Sequence, residues 1–232
     1  MKRYGIGLLI LFSFSPTALL FSQLSEYGLS LGVLGSRYTV GETRPSENLI
    51  VRQGNVFAAG TFGLVGVFSA AKDQPVNYLK LYSSFVMETN YCYCGGNVEL
   101  LRKVNGKYQI NTQEYRLQQL NFKTMYMGRL NKFIFLAGPT ASYNFDRKVK
   151  VSKGELRSSA YKINTYALGV EFGVGFRFDK FIVSSRYHTT ITDFSKNTPL
   201  VDTQYNLHEI KLVLTYLFLE KHIGKNWGSI YW

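Results

Sequence analysis

The sequence predicts an all-β protein: an eight-stranded antiparallel up-and-down transmembrane β-barrel following a cleaved signal peptide. Three observations predict it. The stretch YALGVEFGVGFRFDKFIVSSRYHTTI, Tyr166 to Ile191, alternates bulky apolar residues with small or charged ones without a break in its first half. After Asp179-Lys180 the alternation resumes, with Phe181, Val183, Tyr187 and Ile191 on one face and Lys180, Ser184, Arg186 and His188 on the other. Segments of the same period recur along the chain, and their connections alternate long and short, as they do in outer-membrane barrels. Beyond the N-terminal segment no run of about 18 apolar residues exists, so a chain that crosses a bilayer has to cross as strands closed into a ring.

At the N-terminus, Lys2 and Arg3 precede an apolar run from Ile6 to Phe14, and small or polar residues follow near Ser22-Gln23. This is the anatomy of a secretory signal, expected over residues 1–22. Pro16 and the polar residues Ser13, Ser15 and Thr17 interrupt the run, which is short for a spanning helix. The barrel is expected over 23–218 and a periplasmic tail over 219–232. Aromatics make up 16% of the chain, and 21 glycines outnumber 5 prolines, a balance that suits strands packed closely around a narrow interior. The formal net charge is +12, and loss of Lys2 and Arg3 leaves 12 − 2 = +10. Such a charge favours anionic surfaces. Export sets nucleic acid aside as a partner.

A strand sends successive side chains to opposite faces, and this assigns each element in turn. The first strand, about Glu26 to Thr39, sets Tyr27, Leu29, Leu31 and Val33 outward against Gly28, Ser30 and Gly32. The second, about Val56 to Phe68, places Phe62, Leu64 and Phe68 on one face. The third, Tyr78 to Tyr91, sets Leu79, Leu81, Phe85 and Met87 against Lys80, Tyr82, Ser84 and Glu88. The fourth, Arg116 to Met127, sets Leu120, Phe122 and Tyr126 against Gln119, Asn121 and Lys123. The fifth, Lys132 to Tyr143, carries Phe133, Phe135, Ala137, Pro139 and Tyr143 outward. Pro139 removes a ladder donor, so a bulge is expected there. The sixth and seventh form the hairpin of the opening stretch, and the eighth, Asn206 to Phe218, sets Ile210, Leu212, Leu214, Tyr216 and Phe218 against Glu209, Lys211, Val213 and Thr215.

The connections 40–55, 92–114, 144–163 and 192–205 read as long loops, and 69–77, 128–131 and the Asp179 turn as short ones. Membrane barrels place long loops outside the cell and short turns in the periplasm. Both termini are then periplasmic, and the positions around Cys94, Lys150 and Thr198 face the exterior.

The tandem from Leu120 to Phe145, LNFKTMYMGRLNKFIFLAGPTASYNF, is followed by a strand with Gly169, Gly173 and Gly175 and another with Arg186-Tyr187. This pattern resembles the PorT-type outer-membrane β-barrel domain family. The end KLVLTYLF, Lys211 to Phe218, is similar to the terminal assembly signal of outer-membrane barrels, with Val213 where a glycine is usual. The family includes an accessory protein of type IX secretion, so the resemblance implies an outer-membrane barrel and, as a second reading, an export-machinery component.

Candidate chemistry is concentrated on the inward face. Glu88, Glu171 and Glu209 are expected inside with Lys80, Lys123, Arg177, Lys180, Arg186, His188 and Lys211. An eight-stranded barrel is only wide enough for its own side chains, and buried ions must be paired. An interior ionic network of Glu171, Arg186, His188, Glu209 and Lys211 is therefore expected to plug the lumen. Cys92-Tyr93-Cys94 falls in a loop on this reading. A local disulfide there would be strained, and no histidine lies nearby in sequence to suggest a metal. His188, with Asp193 and Ser195 beyond it, invites a comparison with rim hydrolases, but a nucleophile and an orienting acid have to be in reach. Interior hydrogen bonding is the simpler role. The 144–163 loop carries Arg147, Lys148, Lys150, Lys153, Arg157 and Lys162 against Asp146 and Glu155, suited to lipopolysaccharide phosphates or an acidic partner. No catalytic residue, cofactor or metal ligand is assigned. The expected role is structural or interactional, as a scaffold, adhesin or accessory subunit in contact with outer-membrane lipid and, through outer loops or the tail, a protein partner.

Overall fold

A computed structural model describes residues 22–42, 49–53, 55–70, 81–104, 106–151, 157–158, 164–192 and 203–220. These residues form ten strands: β1 (Ser22–Glu42), β2 (Leu49–Gln53), β3 (Phe57–Ala70), β4 (Leu81–Val104), β5 (Lys107–Leu130), β6 (Phe133–Val151), β7 (Arg157–Ser158), β8 (Tyr166–Phe178), β9 (Phe181–Thr190) and β10 (Thr203–Glu220). Eight of them, β1, β3, β4, β5, β6, β8, β9 and β10, pair antiparallel with their neighbours in chain order. β10 returns to β1, from Glu26↔Glu220 to Glu42↔Thr203, and closes the ring. Closure leaves no edge along the barrel wall. The fold is an eight-stranded up-and-down barrel, and among the described residues no helix is long and apolar enough to cross a membrane.

The ring starts at Ser22 and ends at Glu220. Residues 1–21, which hold nearly all of the expected signal segment, and 221–232 of the expected tail lie outside the described residues. An even number of strands puts the start of β1 and the end of β10 at the same end. The Asn131-Lys132 and Asp179-Lys180 turns lie there too, since Arg177 reaches Glu26 at 2.5 Å. Asn131 (φ 58°) and Asp179 (φ 51°) turn the chain in the left-handed region, which Asn and Asp tolerate better than other non-glycine residues.

The alternation sorts residues as the period demands. Leu31, Leu64 and Ile210 are each about two-thirds exposed on the outer wall, while Ser30, Glu209 and Lys211 beside them in sequence are buried inside. Aromatic rings encircle both ends of this wall. At the turn end Phe133 meets Phe176 with centroids 5.6 Å apart, Phe181 meets Tyr216 at 5.0 Å and Tyr216 meets Phe218 at 5.2 Å. Toward the other end Phe62–Tyr91, Tyr91–Phe145 and Tyr143–Tyr166 are 5.2, 6.0 and 5.3 Å apart.

Three expectations need correction. Residues 92–114 are not a loop: β4 and β5 continue as one hairpin to Val104↔Lys107. Gly95-Gly96 reads as a breaker, yet both glycines are packing positions. A Cβ on Gly95 would sit 2.3 Å from the Tyr115 carbonyl oxygen, and one on Gly96 would sit 2.9 Å from the Tyr38 ring. Arg147, Lys148 and Lys150 likewise belong to β6, not to a connecting loop. The bulge expected at Pro139 is absent, because Lys123↔Thr140 and Tyr126↔Ala137 keep one register across it. The register shifts between Gln118 and Gln119 instead, where Phe145 is the extra residue opposite.

Past the barrel wall, β2 pairs with β4 and β7 with β6, so β2-β4-β5-β6-β7 form a short sheet standing above one side of the ring. The six residues from Glu99 to Val104 continue β4 beyond buried Val98. At about 3.3 Å per residue they carry the hairpin up to about 20 Å beyond the barrel interior.

Candidate functional site

The interior is layered. At the turn end Val65, Val67, Val86, Met125, Met127, Ile134, Leu136, Ile182 and Leu217 form one apolar cluster. At the other end Leu34, Tyr38, Cys92, Cys94, Val98, Leu117, Ala167 and Leu207 form a second. Between them lies an ionic layer contributed by β4, β5, β8, β9 and β10. The sequence predicts the charged centre; the two apolar layers around it are not legible there, because inward valines and methionines look like ordinary strand residues until the ring stacks them.

The five residues expected in the network, Glu171, Arg186, His188, Glu209 and Lys211, are all buried in this layer. Glu88 and Lys123 complete it, giving three carboxylates against three fixed cations. Arg186 Nη1 donates to Glu88 at 2.5 Å and approaches Glu171 at 3.4 Å, and its Nε donates to Ser184 at 2.9 Å. Lys123 reaches Glu171 at 2.9 Å and Glu88 at 3.6 Å. Lys211 bridges Glu171 at 3.2 Å and Glu209 at 2.7 Å. His188 is directly opposite Glu171 in the ladder, but its Nδ1 bonds Glu209 at 2.9 Å. Because a carboxylate only accepts, that nitrogen carries the proton. Its Nε2 lies 2.9 Å from the Thr140 hydroxyl.

The carboxylate nearest Arg186 is therefore Glu88, and Glu171 belongs chiefly to the two lysines. Sequence register links β8 and β9 through their hairpin. Nothing in it shows that β4 faces β9 across the lumen. Gly173 stands beside Arg186 in the ladder, and a Cβ there would meet the Arg186 Cγ at 2.9 Å. The glycine face of β8 makes room for these long side chains.

Other expected inward residues lie elsewhere. Lys180 is exposed in the turn, because a two-residue turn leaves no inward face at that position. Arg177 leaves the layer to pair with Glu26 at the turn end, and Lys80 lies outside the described residues. His188 sits in mid-barrel, away from the rim, and Asp193 and Ser195 lie outside the described residues. The two cysteines are on the inner face of β4, not joined to each other and wholly buried. Alternation puts positions two apart on the same face, so a pair read as loop residues becomes a pair of inward thiols.

At the projecting end, Lys148 pairs with Asp146 at 3.1 Å with its side chain about half exposed, and Arg147 donates to Thr165 at 3.1 Å. Arg116 pairs with Glu114, and Lys150 faces Glu114 across the ladder. Lys153 and Lys162 lie outside the described residues. The cations are thus partly neutralised by carboxylates that the sequence places two positions away or on the next strand.

No family model matches this chain, and no curated protein matches it; the PorT-type resemblance stands on its quoted residues alone. Among solved structures, the chain is similar to Ail, the attachment invasion locus protein of Yersinia pestis, in complex with the heparin analogue sucrose octasulfate. The two are 13% identical, with a TM-score of 0.43, over 84% of this chain and 100% of that one. It is also similar to Neisserial surface protein A, at 8% identity and a TM-score of 0.46, over 83% of this chain and 97% of that one. A third structure, the outer membrane protein AlkL in lipid bilayers, gives 11% identity and a TM-score of 0.37, over 85% and 92% of the two chains. The assignment to the eight-stranded antiparallel barrels rests on the closed ring of strand pairings in this chain itself.

Proposed function

We propose that the chain spans an outer membrane as a closed, plugged barrel and works by contact at its projecting end, as a scaffold, adhesin or accessory subunit. One observation carries this reading: an apolar outer wall between two aromatic girdles surrounds an interior whose buried ionic layer is bounded on both sides by apolar clusters. Tyr166 and Phe176 mark the girdles on β8, ten residues apart. At about 3.3 Å per residue and a tilt of about 40°, that is a band of about 25 Å, the height of the lipid-facing zone of such barrels. A soluble barrel has no reason to leave Leu31, Leu64, Phe172 and Ile210 more than half exposed.

The interior argues against a general porin. Apolar clusters close both sides of the ionic layer, so a hydrated ion would have to cross a packed hydrocarbon layer twice. The projecting β4–β5 hairpin and its neighbours then offer the surface available to partners. Its basic residues suit an acidic ligand, either lipopolysaccharide or a protein, and membership of an export complex is the form of the same role that the PorT-type resemblance implies.

Purification from outer-membrane fractions tests this. The barrel should retain lipopolysaccharide or a stoichiometric protein, and reversing Lys148, Lys150 and Lys153 to Glu should weaken that association. The effect should shrink as salt rises, since exposed charges are screened within about 10 Å at 0.1 M. Association unchanged in the triple variant would make the basic segment solvated surface, and absence of any companion would leave a stand-alone barrel.

A further inference from the structure

We propose that the barrel interior holds one thiophilic divalent cation of the Zn2+ class, bound by the thiolates of Cys92 and Cys94, a carboxylate oxygen of Glu209 and the amide oxygen of Gln119. The sulfur atoms of both cysteines and a Glu209 oxygen lie within 4.8 Å of one another, and all three residues are buried. Sequence proximity hides this set, since Glu209 arrives from β10, 117 residues after Cys92.

The two oxygens of Glu209 are used differently. Oε2 takes the bonds from His188 and Lys211, while Oε1 faces the Cys92 sulfur at 3.7 Å. His188 and Lys211 thus orient the carboxylate as outer partners orient a metal ligand, and leave one oxygen pointing at the thiols. Gln119 supplies an independent sign. It stands directly across the ladder from Cys92, is wholly buried, and neither its amide oxygen nor its amide nitrogen has a partner. A buried amide without partners costs free energy that a ligand would recover.

Geometry favours a cation over a disulfide. Zn–S near 2.3 Å and Zn–O near 2.0 Å in a tetrahedron put two sulfurs about 3.8 Å, a sulfur and an oxygen about 3.5 Å, and two oxygens about 3.3 Å apart. The Cys92–Glu209 separation, 3.7 Å, is close to the sulfur–oxygen value, and the Cys94 sulfur lies within 4.8 Å of both, about an ångström of side-chain adjustment away. Two residues along a strand advance about 6.6 Å, at the long end of the span a disulfide bridges, with Cβ atoms pointing the same way instead of converging. Charge also balances. Each thiol gives up its proton as its sulfur–metal bond forms, two protons leave for one divalent cation, and the net charge of the interior does not change. The ligands are enclosed, so loading accompanies folding.

The full chain, folded from urea into detergent micelles with Zn2+ present and then washed with chelator, should retain about one zinc per folded chain by elemental analysis, and a Cys92→Ser/Cys94→Ser double variant roughly tenfold less. Folding with Cd2+ should produce the ultraviolet band of cadmium–thiolate charge transfer in the unsubstituted chain. Zinc at background in the folded chain, zinc undiminished in the folded double variant, or an intact mass lower by two hydrogens, as in a disulfide, would overturn the proposal. Should the double variant not fold, the cadmium band decides: its presence supports thiolate ligation and its absence refutes it.

Discussion

Replacing Arg186 with Met should destabilise the folded barrel by about 3–5 kcal/mol, the cost of leaving a buried charge without its partner. The guanidinium is almost wholly buried and donates to Glu88 at 2.5 Å. Without it Glu88 keeps Lys123 at 3.6 Å and neutral donors from Asn90 at 3.0 Å and Ser30 at 3.3 Å. Glu171 loses less, because Lys123 and Lys211 remain at 2.9 and 3.2 Å. Removing both members, with Glu88→Gln added, should cost less than the sum of the single changes, with a coupling on the order of 0.5–3 kcal/mol. The same cycle with Glu171→Gln should show a smaller coupling. Urea unfolding in lipid vesicles measures all six species, the unsubstituted chain included. Additive losses in the Glu88 cycle would refute the pairing, and a larger coupling to Glu171 would restore the assignment that hairpin register alone suggests.

Replacing Gly138 with Val should be comparably damaging, for steric reasons. A Cβ at position 138 would lie 2.1 Å from the Thr124 carbonyl oxygen and 2.6 Å from the Met125 Cα. Both are backbone atoms of the adjoining strand, so no side-chain rotation relieves the clash. Gly138 is also the ladder partner of Glu171, and pushing β6 from β5 there would shift Lys123, on β5, against Glu171. Overpacking of a well-filled interior costs about 1–3 kcal/mol before any ion pair is disturbed. The expected total exceeds that range. A folded fraction and unfolding midpoint equal to those of the unsubstituted chain would contradict the close approach of β5 and β6.

How much of this was legible in the sequence depends on the distance over which each feature is decided. Strand faces are local. Tyr166–Phe178 alternates without interruption and the barrel forms it with those bounds; the looser alternation from Phe181 to Ile191 becomes the strand Phe181–Thr190. The inward parity of Glu88, Lys123, Glu171, Arg186, Glu209 and Lys211 follows from the same period. Strand length beyond the wall is not local. CYCGGNVELL has little alternation and a Gly-Gly pair, and it stays extended because β5 and β2 pair with it. Partners across the lumen are least legible, since Arg186 and Glu88 are 98 residues apart on strands that never pair. The Cys92–Glu209 contact is hidden in the same way.

The central claim is that the ring is closed and filled, and conductance in a planar bilayer tests it most directly. Chains inserted from detergent should give no steady open channel, because a hydrated ion would have to pass an apolar cluster on each side of the ionic layer. Arg186→Met should loosen the layer without opening it, since neither cluster contains that residue. Large, steady, voltage-independent conductance from the unsubstituted chain would contradict the account.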